Sequence, residues 1–233
     1  MAQAFPAFYE GWMMNHQNLL EKLLSFSSLD ALADDKNDKC QDLLAEVLAH
    51  YQQYYEEKTR AVNKNVFLML SPPWLSSYER ALLWISDFIP TTLFPLIDNS
   101  LGEDLADEQR ERIQVIRAET RRLEKEVEQA MAAVQESIAA PPIFDLLRRH
   151  ERTVDGEISE LDAAMDKFKE NMMRVIENAD ALRGSTVTKL VEILCPVQAI
   201  KFLAGAFQFT LRVRRWGSQR DAQSSRITRD VHP

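Results

Sequence analysis

Apolar and aromatic positions fall three and four residues apart at the start of the chain. Phe5, Phe8, Tyr9, Trp12, Met13, His16, Leu19, Leu20, Leu23 and Leu24 make one stripe, the buried face of an amphipathic helix. Ser25 to Asp38 is rich in Ser, Asp and Asn and reads as a loop. The spacing then predicts a second helix from Lys39 to Leu70. Its inner face is Leu43, Leu44, Val47, Leu48, Tyr51, Tyr54, Tyr55 and Val62, and Pro72-Pro73 stops it.

Residues 66–97 break the pattern. They hold two of the four tryptophans and four of the nine prolines, with no lysine and one arginine, Arg80. A short, apolar, proline-broken stretch between charged helices is expected to be the knot they pack against. Ser76-Ser77-Tyr78-Glu79 has the capping-box pattern and should start a buried helix over 77–88. Pro90 ends it, and Thr91 or Thr92 starts a further short turn through Ile97. Trp12, Tyr51, Trp74 and Trp84 are the expected structural anchors. Arg80 is the charge in the stretch expected to need a buried partner.

Two heptad runs follow. Ile113, Ile116, Thr120, Leu123, Val127, Ala130 and Val134 form one seam, within 113–134. Val154, Ile158, Leu161, Met165, Phe168, Met172, Val175, Ala179 and Leu182 form the other, 154–182. Pro141-Pro142 separates them, so the simplest fold is an antiparallel hairpin of helices about 50 Å long. The alternative pairs one seam with another chain. Gly184-Ser185 reads as a helix end or a kink. Pro196 suits a first helical turn, and a last helix runs from Val197 to Trp216. Gly217 is expected to end it, leaving residues 218–233 as a disordered tail. The fold class is therefore all-α: one multi-helix bundle over residues 1–217 with a long antiparallel hairpin.

Composition agrees. Glycine occurs six times, and Leu, Ala, Glu, Gln, Lys and Arg dominate, as in long helices. No 18-residue apolar run predicts a transmembrane span, and the start does not read as a signal peptide. Two cysteines, Cys40 and Cys195, are expected reduced, which points to an intracellular chain. The net charge is −8. From residue 201 onward one Lys and six Arg face two Asp, a balance of +5, which leaves −13 on the first 200 residues. An acidic body disfavours nonspecific DNA binding.

Candidate chemistry is sparse. His16, His50, His150 and His232 are too dispersed for a local metal motif and read as packing residues where they sit on apolar stripes. No Cys-x-x-Cys, phosphate loop or nucleophile elbow exists. Acidic pairs such as Glu56-Glu57 and Glu103-Asp104 read as solvated faces. No enzyme is expected, and no catalytic, cofactor-binding or metal-ligating residue is assigned. Phe202, Phe209 and Trp216 are spaced by sevens in a basic helix with Arg212, Arg214 and Arg215. That pattern suits an acidic, Met-lined groove such as calmodulin's. The simpler reading is that the apolar residues complete the core. The 66–97 block could also line an apolar-ligand cavity.

Several blocks together resemble the plant delay-of-germination family, whose domain also forms the C-terminal part of TGA basic leucine zipper transcription factors. They are Phe8-x3-Trp12; Val47-Leu48-Ala49-His50-Tyr51 with Lys58; and Val66-Phe67 through Leu70-Ser71-Pro72-Pro73-Trp74. Then come Tyr78-Glu79-Arg80 with Leu83-Trp84-Ile85, Ala179-Asp180-Ala181-Leu182-Arg183, Cys195-Pro196-Val197-Gln198, and Arg215-Trp216-Gly217-Ser218-Gln219-Arg220-Asp221. The resemblance spans residues 5–221. It implies a non-enzymatic regulator in seed dormancy, abscisic acid signalling, development or transcription control, acting in the nucleus and/or cytoplasm. Implied partners are signalling phosphatases or transcription coregulators, docked on the hairpin faces 103–138 and 143–183. Two departures limit it. The sequence opens on the first domain helix without a basic region and zipper, so direct DNA reading is not expected; a DNA-associated factor is the alternative. Thr210 and Arg214 stand where a haem-binding relative has histidines, and neither is a haem axial ligand, so haem is not carried over. A lipid-type ligand sensor is a third reading.

Overall fold

The computed structural model describes residues 4–27, 33–149 and 155–231. Its helices are α1 (Ala4–Ser27), α2 (Ala33–Lys64), α3 (Val66–Leu70), α4 (Ser77–Ala81), α5 (Leu93–Leu101), α6 (Asp107–Glu136), α7 (Ile143–Arg149), α8 (Asp155–Ile193) and α9 (Pro196–Val231). Short 3-10 turns lie at Pro90–Thr92 and Ser137–Ala139. Among the described residues the only extended pairing is an isolated bridge between Trp84 and Asp87. The all-α prediction holds.

The heptad seams meet each other within the chain. Val127 of α6 packs on Val175 and Ala179 of α8, with Ala130, Met131 and Val134 beside them. Further along, Thr120 and Thr186 hydroxyls meet at 3.4 Å, Lys189 pairs with Glu119 at 2.8 Å, and Gln109 donates to the Ile193 carbonyl. Partner numbers fall in α6 as they rise in α8, so the pair is antiparallel. Every seam position from Ile113 to Val134 and from Leu161 to Leu182 is buried or half-buried. Val154 lies outside the described residues. The proline hinge is more than a loop, because α7 is inserted after Pro141-Pro142, whose peptide is cis.

α8 also ties the hairpin to the bundle. Its Leu190 and Ile193 join the main core with Leu19, Leu23, Phe94 and Phe207. Its Phe168, Met172 and Ile176 join a second cluster with Phe5, Tyr9, Trp12 and Tyr54. Full burial of such side chains contributes about 1.5–3 kcal/mol each.

Several boundaries differ from expectation. α2 begins at Ala33, inside the predicted loop, of which residues 28–32 lie outside the described part. The helix predicted through Leu70 breaks at Asn65, whose side chain accepts from the Leu68 amide and restarts the chain as α3. The Ser76–Glu79 capping box forms, but the helix predicted over 77–88 stops at Ala81. Leu24 and Leu48 are exposed rather than buried. α8 runs through Gly184, and α9 runs through Gly217 to Val231. The expected helix stop at Gly217 is therefore corrected, and the described part of the segment expected as a disordered tail is helix as far as Val231. Gly217 serves a close approach: a Cβ there would collide with Ser76 Oγ. Asp221 fastens the next turn by accepting from the Ser77 amide at 2.8 Å and from its hydroxyl.

Candidate functional site

The centre of the 66–97 stretch is a reverse turn, Trp84-Ile85-Ser86-Asp87. The Trp84 amide donates to the Asp87 carbonyl at 2.7 Å, and the Asp87 amide returns the bond at 3.3 Å. Both central residues have positive φ, 46° at Ile85 and 72° at Ser86. Neither is glycine, so each costs about 1–2 kcal/mol. Something must hold this geometry, and it comes from α2 and α8.

Arg183 of α8 is fully buried. Its guanidinium donates to the carbonyls of Phe88 (2.7 Å), Ile85 (3.0 Å) and Trp84 (2.5 Å). It also pairs with Asp180, one helical turn back. Lys58 of α2, equally buried, donates to Asp180 at 2.7 Å and to Asp87 at 3.2 Å. Tyr54 adds a bond to Asp87 at 2.8 Å. Burial pushes the Asp87 pKa up, but Lys58, Arg183 and the Tyr54 hydroxyl outweigh it and hold the carboxyl below its usual range. Two cations thus face two carboxylates, and the planar fork of Arg183 serves as the template of the turn.

Arg80 does not fill the role expected of it. It is exposed and donates to the Leu75 carbonyl; the buried charges are Lys58 and Arg183. Trp12 is buried and donates to the His50 carbonyl at 2.9 Å. Tyr51 and Trp74 are half-buried, Trp74 against Phe5. Trp84 is also half-buried, with Nε1 on the Glu128 carboxylate of α6.

A second buried polar pair was not legible as a pair. His16 Nδ1 and His50 Nε2 are 3.2 Å apart. His16 stacks on Phe207 and His50 on Trp12. Burial lowers the His16 pKa to about 3, helped by His50, and lowers that of His50 to about 4. Both rings are neutral at pH 7. His150 and His232 lie outside the described residues. Among those described, no group of three or more His, Cys, Asp or Glu is arranged to hold a metal.

The candidate α9 residues do not share one free face. Phe202 is in the core. Phe209 is 42% exposed and Trp216 47%, the latter edge-on to Tyr78 at 4.3 Å. Arg212 and Arg215 are exposed. Arg214 is held by Glu10 at 2.6 Å and by Glu79, with its guanidinium over the Tyr9 ring. Thr210 donates to the Ala206 carbonyl. The hairpin offers a different surface: Ile138, Phe144 and Leu147 are exposed at its far end. Beside them is a groove of about 540 Å³ lined by Pro141, Pro142, Ile143 and Phe168.

Comparison with known proteins places these features in context. A family model described as DOG1, seed dormancy control, matches residues 16–99, which include the reverse turn, Lys58 and both described histidines. Protein RESPONSE TO ABA AND SALT 1 of Arabidopsis thaliana is 42% identical over 218 residues, covering 91% of this chain and 94% of that one. Protein ZW2 of the same plant is 36% identical, covering 93% and 97%. Transcription factor TGA2.3 of Oryza sativa subsp. japonica is 27% identical, covering 93% of this chain and 64% of that one.

Proposed function

The chain belongs to the DOG1 family, and from that footing we propose that it is a non-enzymatic plant regulator that acts by docking other proteins. The family and its relatives are named for seed dormancy, for the response to ABA and salt, and for transcription. The setting is hormone or dormancy signalling and transcription control, in the nucleus and/or cytoplasm. No described helix is long and apolar enough to cross a membrane.

One observation carries the reading. The described hairpin seam packs within the chain, and apolar side chains remain exposed at its tip, Ile138, Phe144 and Leu147, beside a proline-lined groove. Apolar groups rimmed by charge are the usual signature of a protein interface. The partner class is a signalling phosphatase or a transcription coregulator. A calmodulin-type partner on α9 would have to extract Phe202 from the core and Arg214 from its ion pairs, so the hairpin is favoured.

The test is capture of partners from plant tissue by the full-length protein. Ile138→Ser/Phe144→Ser/Leu147→Ser should lose the partners that wild type retains. Recovery of the same set by both would overturn docking at the tip. A second reading, a DNA-associated factor, draws on the likeness to TGA2.3 along 93% of the chain. Gel shifts of the purified protein decide it: a sequence-dependent shift with a steep salt slope would favour that reading over pure protein docking.

A further inference from the structure

An apolar cavity of about 160 Å³ lies between α1, α4, α5 and α9. Leu75, Leu83, Phe88, Leu93 and Leu96 contribute to its walls, and the exposed side chains of Leu82 and Phe209 stand on its rim. Its polar lining is mostly engaged elsewhere. Asp87 is held by Lys58 and Tyr54, Glu79 by Ser76 and Arg214, and Thr210 by the Ala206 carbonyl.

Two groups are not engaged. Tyr9 and Tyr51 both line the cavity, and neither phenol hydroxyl makes a hydrogen bond among the described residues. Tyr9 is only 8% exposed. Both side chains line the same space, where each hydroxyl can donate to an incoming acceptor. Burial, with Glu79 and Asp87 nearby, pushes the Tyr9 pKa up; burial and Asp87 do the same to Tyr51. Both phenols therefore stay protonated and able to donate.

We infer that this cavity is a binding site for a small uncharged molecule with an apolar, ring-sized body and one acceptor oxygen of carbonyl type, held by the hydroxyls of Tyr9 and Tyr51. The size follows from volume, since an apolar protein cavity of roughly 150 Å³ takes up benzene. The absence of charge follows from a lining without Lys, Arg or His to neutralise an anion, while Glu79 and Asp87 already have cationic partners. The specificity follows from the two donors, because a site built to hydrogen-bond an oxygen rejects the analogue lacking it.

The test uses the full-length protein with cyclohexanone, cyclohexanecarboxylate and toluene as probes, followed by NMR of the Leu93, Leu96 and Ala206 methyl groups. Cyclohexanone should give saturable shifts, and cyclohexanecarboxylate should bind at least about tenfold more weakly. Tyr9→Phe/Tyr51→Phe keeps the shape of the walls and should reduce the preference for cyclohexanone over toluene about tenfold, at about one hydrogen bond's worth per hydroxyl. Val213→Phe fills the cavity from a half-exposed wall position and should abolish the cyclohexanone shifts, which keeps the test intact if the double variant does not fold. The inference is overturned by any of three results: no saturable shift with any probe, carboxylate binding equal to ketone binding, or a cyclohexanone affinity that Val213→Phe leaves unchanged.

Discussion

Lys58 and Asp180 are 122 residues apart in the chain and 2.7 Å apart in the fold. The Lys58 side chain reaches no solvent. Burying an ammonium costs several kcal/mol, and this one is offset only because Asp180 and Asp87 both meet it. The pair joins α2 to α8 at the level of the strained turn, so its value lies in fixing where the two helices cross.

Lys58→Met should therefore be severe, at about 3–5 kcal/mol. It leaves two half-buried carboxylates with Arg183 as the remaining cation. Adding Asp180→Asn should recover part of the loss, and urea denaturation of the four proteins in the cycle measures it. Strict additivity of the two changes would show that the residues are not coupled.

Ser86→Gly should stabilise the protein by about 1 kcal/mol. It removes a positive-φ penalty and a buried hydroxyl that lacks a partner, against a smaller entropic cost of glycine. Calorimetry should show a melting temperature higher by about 2–4 °C. Arg183→Lys should act in the opposite direction, because an ammonium cannot meet three carbonyls and a carboxylate in one plane. Red-shifted tryptophan fluorescence would report the turn opening around Trp84, and an unchanged spectrum and stability would remove Arg183 from this role.

The histidine pair sets a pH window. An ordinary histidine titrates near 6.5, whereas His16 and His50 do so at about 3 and about 4. Above pH 7 neither the folded nor the unfolded chain protonates them. Below 6.5 the unfolded chain binds protons that the fold refuses. Stability should fall as pH drops from about 6.5 toward about 4, by up to about 1.4 kcal/mol per pH unit for each histidine. Asp87 acts elsewhere: its folded pKa is depressed below 3.8, so its contribution is lost only under stronger acid. Urea melts at pH 7.5 and 5.0 measure the slope, and His16→Gln/His50→Gln should flatten it. Equal wild-type stability at the two pH values would contradict the neutral pair.

Gly217→Ala should cost about 1–3 kcal/mol, since the added methyl must displace Ser76 from its capping position. Ser76→Gly in the same chain should lower that increment. Thermal melts of the two single variants and the pair check this, and an additive outcome would place the strain elsewhere.

The parts legible in the sequence were those with local signals. The seams from Ile113 to Val134 and from Leu161 to Leu182 were readable because a period of three and four survives any tertiary context. The Ser76–Glu79 box was readable because both partners lie within one turn. The turn at 84–87 was not, since Ile85 and Ser86 carry no glycine or asparagine to announce positive φ. Its cause is Arg183, which acts from 98 residues away on Ile85. Lys58, Asp180 and Arg183 stood out only as parts of family blocks, with no role attached. Arg80 lies in the same apolar stretch and is nonetheless exposed, since proximity in sequence is a poor guide to burial. Gly217 was read as a helix stop because conformational freedom is glycine's commoner use, and close approach depends on a partner 141 positions earlier.

α8 spans about 58 Å at 1.5 Å per residue and contributes to all three apolar clusters. It is a single rod whose one end lies in the hairpin tip and whose second half carries Asp180 and Arg183. From the tip to Arg183 the rod is continuous helix, beginning at Asp155. Displacement of the rod by one helical pitch would carry Arg183 off its three carbonyls and leave the positive-φ turn beside it without its template.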